Sequence, residues 1–126
     1  MKKIFFLMVI CLLITGCGSD NKMSSNSINT ISVDEVKSLV DSFNDQDNLV
    51  IIDVRTNEEY KEGHIKNSIN IPVDNIEKIN YRKDTKIVLY CRSGNRSNQA
   101  ALKLKSLGYE NIYDMGGINY WTYDLE

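Results

Sequence analysis

The sequence predicts an α/β domain, with a mostly parallel central sheet and helices on both faces. Two observations carry that prediction. Leu49-Val50-Ile51-Ile52-Asp53-Val54 and Lys86-Ile87-Val88-Leu89-Tyr90-Cys91 are short apolar runs, rich in β-branched residues, of the kind that forms strands buried on both faces. Segments with helix-start signals and apolar residues at helical spacing alternate with those runs.

In chain order, Ser32-Val33-Asp34-Glu35 is a capping box, followed by Val33, Val36, Leu39, Val40 and Phe43 along one helical face. The first buried strand spans 49–54. Thr56-Asn57-Glu58-Glu59 is a second capping box, opening a short helix that Gly63 ends. A short strand over 68–71 precedes Pro72, and a brief helix follows over 75–80. The second buried strand, 86–91, leads into a helix over 96–107 with Ala100, Leu104 and Leu107 inward and Gly108 just past its end. A last strand over 111–115 runs into Gly116-Gly117, expected as a tight turn, with Trp121 packing beyond it. In such sheets ligands bind past the carboxyl ends of the strands, where Cys91 and Asp53-Val54-Arg55 fall.

Composition sets bounds. A chain of 126 residues holds one domain of ordinary size. One proline and seven glycines exclude collagen-like and low-complexity classes. The net charge of −2 provides no footprint for nucleic acid, so no such partner is expected. Three cysteines and one histidine leave no room for a disulfide framework or a zinc site, and no metal or cofactor is expected.

The first residues differ from the rest. Met1-Lys2-Lys3 is a short positive end, and residues 4–14 carry no charge but fall short of the ~18 apolar residues that span a bilayer. This is the layout of a secretory signal over 1–16. Ile14-Thr15-Gly16-Cys17 resembles the lipobox of bacterial lipoproteins, which implies lipidation of Cys17 after cleavage; the alternative is an ordinary secretory leader with an incidental cysteine. Residues 17–30, rich in Ser, Asn and Asp, are expected to form a flexible tether to a domain over 31–126. The expectation is therefore an extracytoplasmic protein held to the membrane through a lipid anchor. Cleavage removes Lys2 and Lys3, taking the net charge to −4, and leaves Cys91 as the single free thiol of the folded domain.

Cys91-Arg92-Ser93-Gly94-Asn95-Arg96 links the second buried strand to a helix. Loop N–H groups at a helix start, with a glycine able to take positive φ, form an anion-binding nest. Arg92 and Arg96 add permanent positive charge. A cysteine in that field is favoured as thiolate, its nucleophilic form, so the loop combines a sulfur nucleophile with a cradle for an anion. Asp53 ends an apolar strand and needs a buried partner; Arg55 is the nearest, as a structural ion pair. His64, the only histidine, is the obvious candidate for a base.

Asp53-Val54-Arg55, Gly63-His64-Ile65 with Asn70-Ile71-Pro72, the Cys91 loop, and Gly116-Gly117-Ile118-Asn119-Tyr120-Trp121 resemble, in order, the signature blocks of rhodanese domains. Ser68 departs from the small apolar residue usual in that family. The resemblance implies a three-layer α/β/α fold and a sulfurtransferase acting through a Cys91 persulfide. Its donor would be thiosulfate or a related donor such as a persulfide, and its acceptor a thiol or cyanide. Arg92 would attract the donor; Arg96 would do the same or tie the loop to the domain. In the family the His64 position is mainly structural. A monomer is expected. The runner-up is a non-catalytic module of the same fold that carries sulfur or binds a partner at a membrane. Only four residues separate Cys91 from Arg96, one fewer than in cysteine phosphatases, including those of this fold, and that argues against phosphatase chemistry.

Overall fold

The computed structural model describes residues 27–126, so the expected leader and Cys17 lie outside the described residues. Five parallel strands form one sheet: β1 (Asn29–Thr30), β2 (Leu49–Asp53), β3 (Ser68–Asn70), β4 (Lys86–Cys91) and β5 (Ile112–Gly117), in the spatial order β1-β5-β4-β2-β3. The helices are α1 (Val33–Asp41), α2 (Asn57–Glu62) and α3 (Asn95–Ser106), with 3-10 turns over Val73–Lys78 and Ile118–Tyr120. The expected fold class is observed.

The two central strands, β2 and β4, read as continuous apolar runs because both their faces are covered. Side chains alternate across the sheet: Val50, Ile52, Ile87, Leu89 and Cys91 join Ala100, Ala101 and Leu104 of α3 on one face. Ile51, Val88 and Tyr90 join Val36 and Val40 of α1 on the other. Cys91 therefore sits on the α3 face. Both capping boxes form as read, Ser32 with Glu35 and Thr56 with Glu59.

Five elements differ from expectation. Asn29 and Thr30, assigned to the tether, pair in parallel with Tyr113 and Asp114 as an edge strand too short to show periodicity. The helix expected over 75–80 is the 3-10 turn Val73–Lys78, whose only buried residue is Ile76. Phe43 lies beyond the end of α1, and Leu107, expected inward, is 39% exposed at the end of α3. Gly116-Gly117 is not a tight turn but the end of β5. There Leu89 pairs with Asp114 and Tyr90 with Gly116, so Met115 is the extra residue of a β-bulge. Gly116 takes φ 89°, and its N–H donates to Asp114 Oδ1 at 2.8 Å.

Candidate active site

β2 and β4 are neighbours, but the chain leaves them in opposite directions, β2 pairing outward with β3 and β4 with β5. Such a switch point opens a crevice at the carboxyl ends of the two strands. The Cys91 loop follows β4 at this position, and Asp53 to Thr56 follow β2.

Cys91 is 1% exposed and is the free thiol among the described residues. Gly94, at φ 104°, is the N-cap of α3, and its N–H donates to Cys91 Sγ at 3.0 Å. The left-handed conformation turns that amide back toward the sulfur, and only glycine adopts it without strain. Of the expected cradle of loop amides, this is the one that closes on sulfur here. Ser97, wholly buried on the first turn of α3, accepts from the thiol at 3.5 Å and donates to the Gly94 carbonyl at 3.1 Å. A hydroxyl rotates to suit its partner, so the same group can donate to sulfur when the thiol proton is gone.

β5 buttresses the loop from the other side. Cys91 pairs with Gly117, and Asn119 N–H donates to the Arg92 carbonyl at 3.3 Å. A side chain on Gly117 would stand 2.5 Å from the Arg92 carbonyl oxygen, so the approach of β5 to the loop requires glycine.

The two loop arginines separate. Arg92, with Ser93 and Asn95, is exposed, and among the described residues its side chain has no hydrogen bond or ion pair. Arg96 is committed to α2: its Nη1 and Nη2 donate to Glu59 Oε1 and Oε2 at 2.7 and 3.0 Å. Those bonds hold the Glu59 carboxyl at about 2, against burial, which opposes the shift. Arg96 thereby bridges the end of the loop to α2.

The supporting residues form a scaffold behind the loop. Asp53, fully buried, accepts from Arg55 Nε and Nη2 at 3.0 and 2.7 Å and from the Arg55 backbone N–H at 2.9 Å. Burial opposes the charge on Arg55, yet its hydrogen bonds to Asp53 leave it more strongly held as a cation. Arg55 Nη2 also donates to the Gly63 carbonyl at 2.7 Å, and Asn70 Nδ2 donates to the carbonyls of Asp53 and Arg55. Three separated sequence blocks are thus one network. The His64 ring stacks on Tyr60 at 3.7 Å, its Nδ1 lies 2.9 Å from the Tyr60 carbonyl, and its backbone pairs with Glu126. These contacts join the His64 turn to α2 and to the last residue of the chain.

Glu59 and Ser97 are the residues that sequence reasoning did not single out. Glu59 was visible as a capping residue, but its contact with Arg96 spans thirty-seven positions and has no local signature. Ser97 follows Arg96 on the turn facing Cys91, a placement that appears once helix and strand are docked.

The chain matches the model of the rhodanese-like domain over residues 32–124. It is 33% identical over 108 residues to a putative sulfur carrier protein of Bacillus subtilis, covering 83% of this chain and 57% of that protein. The chain spans about half the length, or less, of the curated relatives it matches. Among solved structures, a rhodanese-like domain protein from Staphylococcus aureus is similar at TM-score 0.66 and 31% identity, covering 79% of this chain and 97% of that one. A human single-domain sulfurtransferase is similar at TM-score 0.62 and 28% identity, covering 72% and 91%.

Proposed function

This chain belongs to the rhodanese-like domain family, and from that premise we propose that it is a sulfurtransferase whose nucleophile is Cys91. The observation that carries the reading is the placement of one buried sulfur. It lies at the end of a central strand, faces the Gly94 amide at the start of α3, and has the unpaired cation Arg92 on the same loop. An oriented N–H stabilises negative charge on the sulfur before and after transfer.

The donor proposed is thiosulfate or a related persulfide. The Cys91 thiolate attacks the outer sulfur of thiosulfate; a new S–S bond forms as the bond to the central sulfur breaks, and sulfite leaves with that electron pair. The product is a cysteine persulfide anion. A thiophilic acceptor then attacks the terminal sulfur, restoring the thiolate: cyanide departs as thiocyanate, or a thiolate departs as a persulfide. No external oxidant, metal or cofactor is needed in either half. Arg92 draws the anionic donor to the loop, while Ser93 and Asn95 line its exposed rim. Two covalent half-reactions require ping-pong kinetics. Cys91→Ser should abolish thiocyanate formation from thiosulfate and cyanide; retained turnover would move the nucleophile elsewhere.

The proposal extends to location. The lipobox-like Ile14-Thr15-Gly16-Cys17 and the polar residues after it support a domain tethered outside the cytoplasm by lipid on Cys17. Cys17→Ala should move the protein from the membrane fraction to the soluble one. A variant that stays with membranes would contradict the anchor.

A further inference from the structure

One carboxylate joins the helices that follow the two central strands. Glu59 Oε1 accepts from Thr56 N–H at 3.4 Å and Oγ1 at 3.2 Å, closing the cap of α2. The same carboxylate receives both terminal nitrogens of Arg96. The two side chains are 25% and 31% exposed, so the fork is partly withdrawn from water, where a two-bond Arg–carboxylate contact is directional as well as attractive.

Arg96 ends the loop that Cys91 begins. At its start the loop is fixed by the pairing of Cys91 with Gly117, and along its side by the contact of Gly117 with Arg92. Its far end is fixed across the crevice by Glu59 alone among the side chains of α2. Gly94, whose N–H faces the sulfur, lies between these supports. The Gly94 carbonyl is also held from α3 by Ser97 Oγ and the Asn98 N–H, both at 3.1 Å, so losing the Glu59 contact loosens the Gly94 amide rather than freeing it, and catalytic geometry is sensitive to such small misplacement.

We infer that Glu59 is a positioning residue for sulfur transfer, clamping the Cys91 loop against α2 through Arg96. The inference rests on the sulfurtransferase reading, and its test separates the two. Glu59→Gln keeps a neutral oxygen for the α2 cap while removing the charge-assisted fork; Arg96→Ala removes the other partner. Both variants and their combination are compared with the wild-type chain, with thermal unfolding confirming that each is folded.

With thiosulfate and cyanide, each single variant should lose about tenfold in kcat while the donor KM stays within about twofold, the signature of an interaction that acts on the chemical step. The double variant should lose no more than the worse single, because both changes remove the same contact. Hydrogen exchange at the Gly94 amide should speed up about tenfold in all three, with the β4 amides unchanged. Unaltered kcat in Glu59→Gln, a change in KM alone, multiplying losses in the double variant, or unaltered Gly94 exchange would each overturn the inference. Absence of turnover in the wild-type chain overturns the sulfurtransferase reading and with it the part of Glu59 in transfer. The exchange measurement, which needs no donor, separately decides whether Glu59 holds the loop.

Discussion

Cys91, Arg92 and Arg96 share a short loop, yet their environments assign them different work. The sulfur is buried, Arg96 is tied to Glu59, and Arg92 alone is left exposed and unpaired on the loop. A rim cation acts on encounter with an anion more than on the bond-breaking step. Arg92→Ala should therefore raise the thiosulfate KM about tenfold with little change in kcat, and the effect should shrink as salt screens the charge. Steady-state kinetics at two ionic strengths check this; a kcat loss without a KM change would place Arg92 at the chemical step instead. Ser68 is a second case in which environment decides. Where the family usually has a small apolar residue, Ser68 Oγ lies 2.8 Å from the hydroxyl of Tyr90, which is fully buried, and Ile65 N–H donates to the same hydroxyl. Burial pushes the Tyr90 phenol up, keeping it neutral, and a neutral buried hydroxyl left without partners costs about 1–3 kcal/mol. Serine at 68 is matched to tyrosine at 90, and the pair is visible only when β3 and the Tyr90 face of β4 are brought together.

At the level of elements, the parts written locally were legible. Both capping boxes and both buried strands follow from residue type and spacing over a few positions. The parts that failed depend on distant partners. The bulge at Met115 falls just before Gly117 meets the Cys91 loop, and Asn29–Thr30 is a strand through its pairing with β5. The link between α2 and α3 is of the same kind, and it has a pH signature. The Glu59 carboxyl lies at about 2 in the folded chain, below its ordinary value of 4.5. A depressed carboxyl contributes stability that is present above the unfolded value and lost as pH falls toward the folded one. Glu59→Gln should thus destabilise the domain by about 1 kcal/mol at pH 7, the scale of a partly exposed ion pair. The gap to the wild-type chain should close between about pH 4.5 and 2. Denaturant unfolding across that range measures it; a gap independent of pH would show that the fork is not what the substitution removed.

For the whole molecule, the polarity of a parallel sheet governs function. All five strands point the same way, so their carboxyl ends gather Cys91, the Asp53–Arg55 pair and the starts of α2 and α3 at one pole. The described chain begins beside the opposite pole, where Lys105 near the end of α3 donates to the Ser27 carbonyl. A six-residue strand separates the poles by roughly 20 Å. The net charge of −2 makes the cationic loop a local focus against the global sign, which suits an anionic donor. Sulfur transfer by this domain requires that Cys91 accept one sulfur atom from such a donor. Intact-mass spectrometry of the wild-type domain after thiosulfate treatment tests it most directly. One added sulfur atom is expected on Cys91, absent in Cys91→Ser and removed by cyanide; an unmodified domain at neutral pH, or an adduct that survives the loss of Cys91, would rule out Cys91 as the acceptor.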